Sequence, residues 1–134
     1  MRRVRNLLAL PLVLLALAAC DSPTGLDDVT MEGRWDAVGP LREAAPSLRL
    51  MITADAGGVF TGTWSQDGLA GSRALGGVRT GNSVVLTLQS YPLPGGGLGP
   101  RTFTGELKDI WVMRGSIDIA SENGAAFRRS SFSP

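Results

Sequence analysis

The 134-residue sequence contains no histidine. That absence excludes Ser-His-Asp and Cys-His catalysis, and with them the usual zinc sites. Cysteine occurs once, at Cys20, so no disulfide can form within the chain, and the fold must rest on its apolar core. Lysine also occurs once, at Lys108. Neither sign of charge dominates, with 13 bases against 12 acids, and no basic patch or stripe marks a nucleic-acid surface. The longest apolar run is too short for a spanning helix, which needs about 20 residues.

What is present begins with an asymmetric first segment. Arg2, Arg3 and Arg5 lie within Met1 to Asn6, which has no acid, and Leu7 to Ala19 follow without a charged or polar side chain. Pro11 interrupts that run, and Cys20 ends it. A basic start, a short apolar core and small residues before a cut describe a secretory signal, helical in the precursor over residues 1–19. The residues Leu17-Ala18-Ala19-Cys20 resemble the lipobox of bacterial lipoproteins. The resemblance implies a diacylglyceryl thioether on the Cys20 sulfur, cleavage before Cys20, and acylation (palmitate or a similar chain) of the new amino terminus in many bacteria. Small residues let the peptidase approach the bond, and a thiolate is the strongest nucleophile a side chain offers. Two or three acyl chains hold a protein on a membrane stably, at about 0.8 kcal/mol for each buried methylene.

Loss of residues 1–19 removes three of the bases, so the mature chain carries ten against twelve acids and a formal charge of −2. The remaining length is enough for one domain, not two. Residues 20–32 read as the lipidated cysteine and a flexible tether, because Asp21 to Met31 is polar and contains Pro23, Gly25 and the pair Asp27-Asp28. That pair has nothing nearby to complete a metal site. Asp21 resembles the retention signal that keeps some lipoproteins in the inner rather than the outer membrane.

From Gly33 onward the apolar period is two. Leu48, Leu50 and Ile52 alternate with polar or flexible neighbours, as do Val84, Leu86 and Leu88, and Phe103, Gly105 and Leu107. Turn signals fall between the runs at Gly57-Gly58, Gly81-Asn82, Lys108-Asp109 and 121–124. Only Leu41 to Ala45, bracketed by Pro40 and Pro46, suits a helical turn. Eight strands fit, over about 33–39, 47–54, 58–65, 69–80, 83–90, 101–108, 110–120 and 125–132. The expected fold of residues 33–134 is all-β, a small antiparallel up-and-down β-barrel of about eight strands.

Three strands share a pattern: Phe60-x-Gly62-x-Trp64, Phe103-x-Gly105-x-Leu107 and Met113-x-Gly115-x-Ile117. A glycine inside a strand weakens it, so it needs a reason, either strong coiling at a barrel corner or close approach of a ligand. Coiling is the favoured expectation. Tyr91 to Pro100, with its prolines and four glycines, reads as a long loop that is a lid, a partner contact or an insertion.

Gly33-Arg34-Trp35 resembles the G-x-W signature of the calycins, the lipocalin and avidin-like barrels, and Ile52 to Trp64 is similar to the hairpin joining the second and third strands of avidins. The resemblance implies the barrel, with a late arginine, Arg128 or Arg129, packed over Trp35. It does not extend to biotin. The positions after Trp35, Asp36 to Leu41, are mostly apolar, and Trp64-Ser65-Gln66 replaces a tyrosine-led polar set.

Two functions follow as expectations. One is a membrane-anchored, non-catalytic binding module for a small apolar ligand, with Trp35, Phe60, Trp64, Trp111 and Met113 lining the cavity. The other is a protein-interaction or envelope-structural lipoprotein, such as an inhibitor of a secreted hydrolase. The acids Asp36, Asp55, Asp67, Glu106, Asp109 and Asp118 show no spacing that selects a catalytic pair. The sequence implies no metal, no cofactor and no enzymatic activity.

Overall fold

The computed structural model describes residues 26, 28–119 and 124–133. The signal segment, Cys20 and Asp21 lie outside the described residues, as does most of the turn expected at 121–124. Eight strands run in chain order: β1 (Gly33–Val38), β2 (Arg49–Ala56), β3 (Val59–Ser65), β4 (Arg73–Thr80), β5 (Ser83–Pro92), β6 (Leu98–Leu107), β7 (Val112–Ile117) and β8 (Ala125–Ser131). Each pairs antiparallel with its neighbour, and β8 pairs back with β1 to close an up-and-down barrel.

Alternation decides which side chains point inward. Leu50 and Ile52 on β2, Val84, Leu86 and Leu88 on β5, and Phe103 and Leu107 on β6 are all buried. Val85, in the opposite phase, is exposed. Two of the turns are two-residue hairpins, Gly57-Gly58 between Ala56 and Val59, and Gly81-Asn82 between Thr80 and Ser83. Gly57, Gly58 and Gly81 have positive φ, as the mirror-image turns of twisted hairpins require.

The in-strand glycines mark places where neighbouring backbones crowd together. Gly105 and Gly115 face each other across β6 and β7. A Cβ on Gly115 would lie 2.1 Å from the Thr104 carbonyl oxygen, and one on Gly105 would lie 2.2 Å from that of Arg114. The nearest atom in each case is backbone, so tight coiling accounts for the repeat and ligand approach does not.

Two expected boundaries are corrected. Tyr91 to Pro100 is half strand rather than all loop. β5 and β6 continue past a bulge between Leu88 and Tyr91, with Tyr91 opposite Gly99 and Pro92 opposite Leu98, leaving only 93–97 as the tip. Pro100 falls opposite the bulge and outside the paired register, where its missing N–H breaks no ladder bond. The second correction concerns the tether. Leu26 and Met31 belong to the buried core, with Val29 packed against it, so the ordered domain starts before residue 33.

Candidate functional site

The barrel has two ends, and each is stopped by a different piece of chain. At the end where β1 leaves for β2, the short helix α1 (Pro40–Ala44) turns its apolar side inward. Leu41 and Ala45 are fully buried there. The helix is short because Pro40 starts it and Pro46 prevents its continuation. Beside it, the Trp64 ring stacks on Tyr91 at 5.1 Å. Trp64 Nε1 donates to the Gln89 carbonyl at 3.0 Å, and the Tyr91 hydroxyl donates to Gln66 Oε1 at 2.8 Å. Burial raises the Tyr91 phenol above its ordinary pKa, while the bond to Gln66 and the nearby charge of Arg101 act the other way.

At the opposite end, Leu26 and residues 28–31 cross the barrel mouth as a strap. Arg79 at the end of β4 donates through Nη1 to the Leu26 carbonyl at 2.9 Å and through Nη2 to that of Val29. Asp55 on β2 accepts from the Met31 amide at 2.7 Å and from the Gly58 amide at 3.2 Å. Trp35 Nε1 donates to the Met31 carbonyl at 3.0 Å, and Arg129 Nη2 donates to that of Thr30 at 2.6 Å. The strap thus satisfies its backbone groups on side chains from four strands while placing Leu26 and Met31 in the core.

Among the described residues the buried cation is Arg129, 2% exposed. It shares the inward phase of Ala125 and Phe127, whereas Arg128 points outward, which decides between the two expected arginines. Its guanidinium lies between two rings, 4.4 Å from the centroid of Trp35 and 4.4 Å from that of Phe132. Loss of hydration, then the proximity of Arg79, lowers its pKa to about 10.

Of the five residues expected to line a cavity, Trp35, Phe60, Trp64 and Met113 do point inward, each at most 1% exposed. They form one core with Phe103, Phe127 and the aliphatic residues of β2 and β5. Phe103 meets Phe127 edge to face at 5.4 Å. These rings fill the interior, and the two stoppers close it.

Trp111 is the exception and is corrected: it is 43% exposed. β7 begins at Val112, so Trp111 stands in the preceding turn and does not continue the alternation that carries Met113 inward. Asp109 Oδ1 accepts the Trp111 amide at 2.6 Å, and the Trp111 carbonyl accepts the Arg129 amide at 2.6 Å. The indole meets Phe132 at 5.0 Å.

Clefts among the described residues lie on the outside. One of about 280 Å³ runs between the strap and the hairpin tips, lined by Asp28, Thr30, Asp55 and Arg79 among others. It is polar, and its Asp55 and Arg79 side chains are engaged in holding the strap. The remaining acids are dispersed. Asp36 pairs with Arg34 and Arg49, Asp118 with Arg101, and Glu106 with Lys108. No group of three potential metal ligands occurs among the described residues. No helix among them is long and apolar enough to cross a membrane.

Sequence reasoning missed the strap, although Leu26, Val29 and Met31 were the apolar residues in an otherwise polar tract. It also missed Arg79 and Asp55, whose partners are backbone groups far away in the chain. No protein-family model, curated protein or solved structure matches the chain.

Proposed function

We propose that the protein is a cell-envelope lipoprotein, cleaved before Cys20 and lipidated there, whose barrel is a solid interaction module binding another envelope protein through its surface. The observation that carries the interaction reading is the filled and doubly stopped interior. An apolar ligand of useful size would have to displace Leu41 and Ala45 at one end or the strap at the other. Ligand-holding barrels instead keep an open mouth and an unfilled centre. The lipid attachment rests on the residues Leu17 to Cys20 and the basic, apolar segment before them.

Two measurements test the two parts. Cells fed an alkyne-bearing fatty acid should label the wild-type chain and leave Cys20→Ser unlabelled; equal labelling would sink the anchor. Palmitate or lysophospholipid added to the purified protein should change neither its melting temperature nor its tryptophan emission. A rise in melting temperature with altered emission, abolished in Trp64→Ala, would return the interior to ligand binding. Photo-crosslinking residues at Leu98 and Thr104, which face outward, should then give discrete protein adducts in whole cells.

A further inference from the structure

Exposed apolar side chains are unevenly distributed along the barrel axis. The large exposed hydrophobics among the described residues are Val59, Val78, Val85, Leu98, Ile110, Trp111 and Phe132. All but Leu98 belong to the strap end. Val59 opens β3, Val78 faces it near the end of β4, and Val85 faces Val78 near the start of β5. Ile110 and Trp111 lie in the β6–β7 turn, and Phe132 directly follows β8. Leu98 alone stands at the far end, where β6 begins.

A continuous set of contacts joins the strap to the exposed rings. Thr30 accepts from Arg129, Phe132 covers the Arg129 guanidinium, and Trp111 rests against Phe132. The Trp111 backbone is also held, by Asp109 on one side and Arg129 on the other. The indole, 43% exposed, lies against Phe132 at the surface, and water is a poor place for an aromatic ring. Tryptophan and phenylalanine favour the boundary between headgroups and acyl chains, where a ring is partly dry and the indole N–H keeps a partner.

The chain leaves the barrel at this same end. Five residues separate Leu26 from Cys20, and the six residue steps between them span at most about 20 Å. We infer that the strap end of the barrel rests on the bilayer, with Trp111 and Phe132 seated at the lipid interface beside the Cys20 anchor. The occupant of this patch is the phospholipid surface, and the opposite end, with the 93–97 tip, faces away from it. The inference rests on lipid attachment at Cys20. The tether is short enough to keep the patch at the headgroups, and one apolar group too weak to hold a protein alone becomes effective once an anchor supplies proximity.

The test uses the chain from Cys20 onward, which includes every described residue, carrying its native lipid in phosphatidylcholine vesicles. A fraction of the vesicle lipids bears bromine high on the acyl chain. Trp111 emission should shift to the blue and be quenched, and Trp111→Phe should remove the quenched component, since Trp35 and Trp64 are sealed in the core. Aqueous iodide should reach Trp111 several-fold less well than in the unlipidated Cys20→Ser chain. Water-like emission and unchanged iodide access in the vesicles would overturn the inference and leave the patch to a protein occupant. The intact mass reports the anchor separately. If it shows no diacylglycerol on Cys20, the same thiol is joined to a maleimide-headgroup phospholipid and the quenching repeated; quenching then supports the seated patch without the native lipid, and its absence overturns it.

Discussion

The guanidinium of Arg129 lies 4.4 Å from the ring centre of Trp35, and both side chains also bond the backbone of the strap, at Thr30 and Met31. One cation–ring pair therefore joins the last strand, the first strand and the segment before it. Removing it in Arg129→Ala should destabilise the fold by about 2–4 kcal/mol, combining the lost ring contact with a charge-assisted hydrogen bond. Arg129→Lys should recover part of that, since an ammonium keeps the charge without the planar fork. Urea denaturation of the two variants measures the difference, and equal losses would show that a charge without the planar guanidinium contributes nothing there.

Asp55 controls the strap from the other side. Asp55→Ala removes the acceptor of the Met31 amide and should cost about 1–3 kcal/mol locally. Hydrogen exchange should accelerate at Met31 and Val29 while the β5–β6 ladder stays protected. Uniform acceleration through the barrel would mean that the strap and barrel open together.

The paired glycines make a sharper contrast. Gly115→Ala puts a methyl 2.1 Å from the Thr104 oxygen and should destabilise by about 3 kcal/mol. Gly76→Ala, whose nearest neighbour would be 3.8 Å away, should be neutral or slightly stabilising. Melting temperatures of the pair check the claim that backbone proximity, not strand position, sets the cost.

Alkaline pH should act through Tyr91. Burial raises its folded pKa above the ordinary value of 10, so the folded state holds the proton more tightly than the unfolded chain. The resulting stabilisation is complete below pH 10 and is lost as pH climbs through the folded value. Wild type should therefore weaken relative to Tyr91→Phe above pH 10. Tyr91 is the sole tyrosine, so phenolate absorbance follows its titration without interference.

The barrel was legible because its signal is local. Period-two runs such as Leu48-x-Leu50-x-Ile52 and the glycine turns at 57–58 and 81–82 specify strands and hairpins without knowledge of distant residues. The turn residue Trp111 misled because two-residue spacing from Met113 implies a shared face only if both lie in one strand. Pro92 and Pro100 concealed the extension of β5 and β6: Pro92 is the last residue of β5, and a bulge, invisible in composition, removes the need for the N–H of Pro100. The strap was hidden for a different reason. Its bonds to Arg79 and Arg129 span 50 residues or more, and no periodicity records them.

Closure of β1 onto β8 leaves every strand with two neighbours. Proteins confined to a membrane surface meet their own kind far more often than in free solution. For an open sheet, each such encounter offers a bare row of amide and carbonyl groups to template another chain's strand. Among the described residues this barrel has no such row, so if the proposed Cys20 anchor holds it at a membrane, its copies can crowd there without zipping edge to edge.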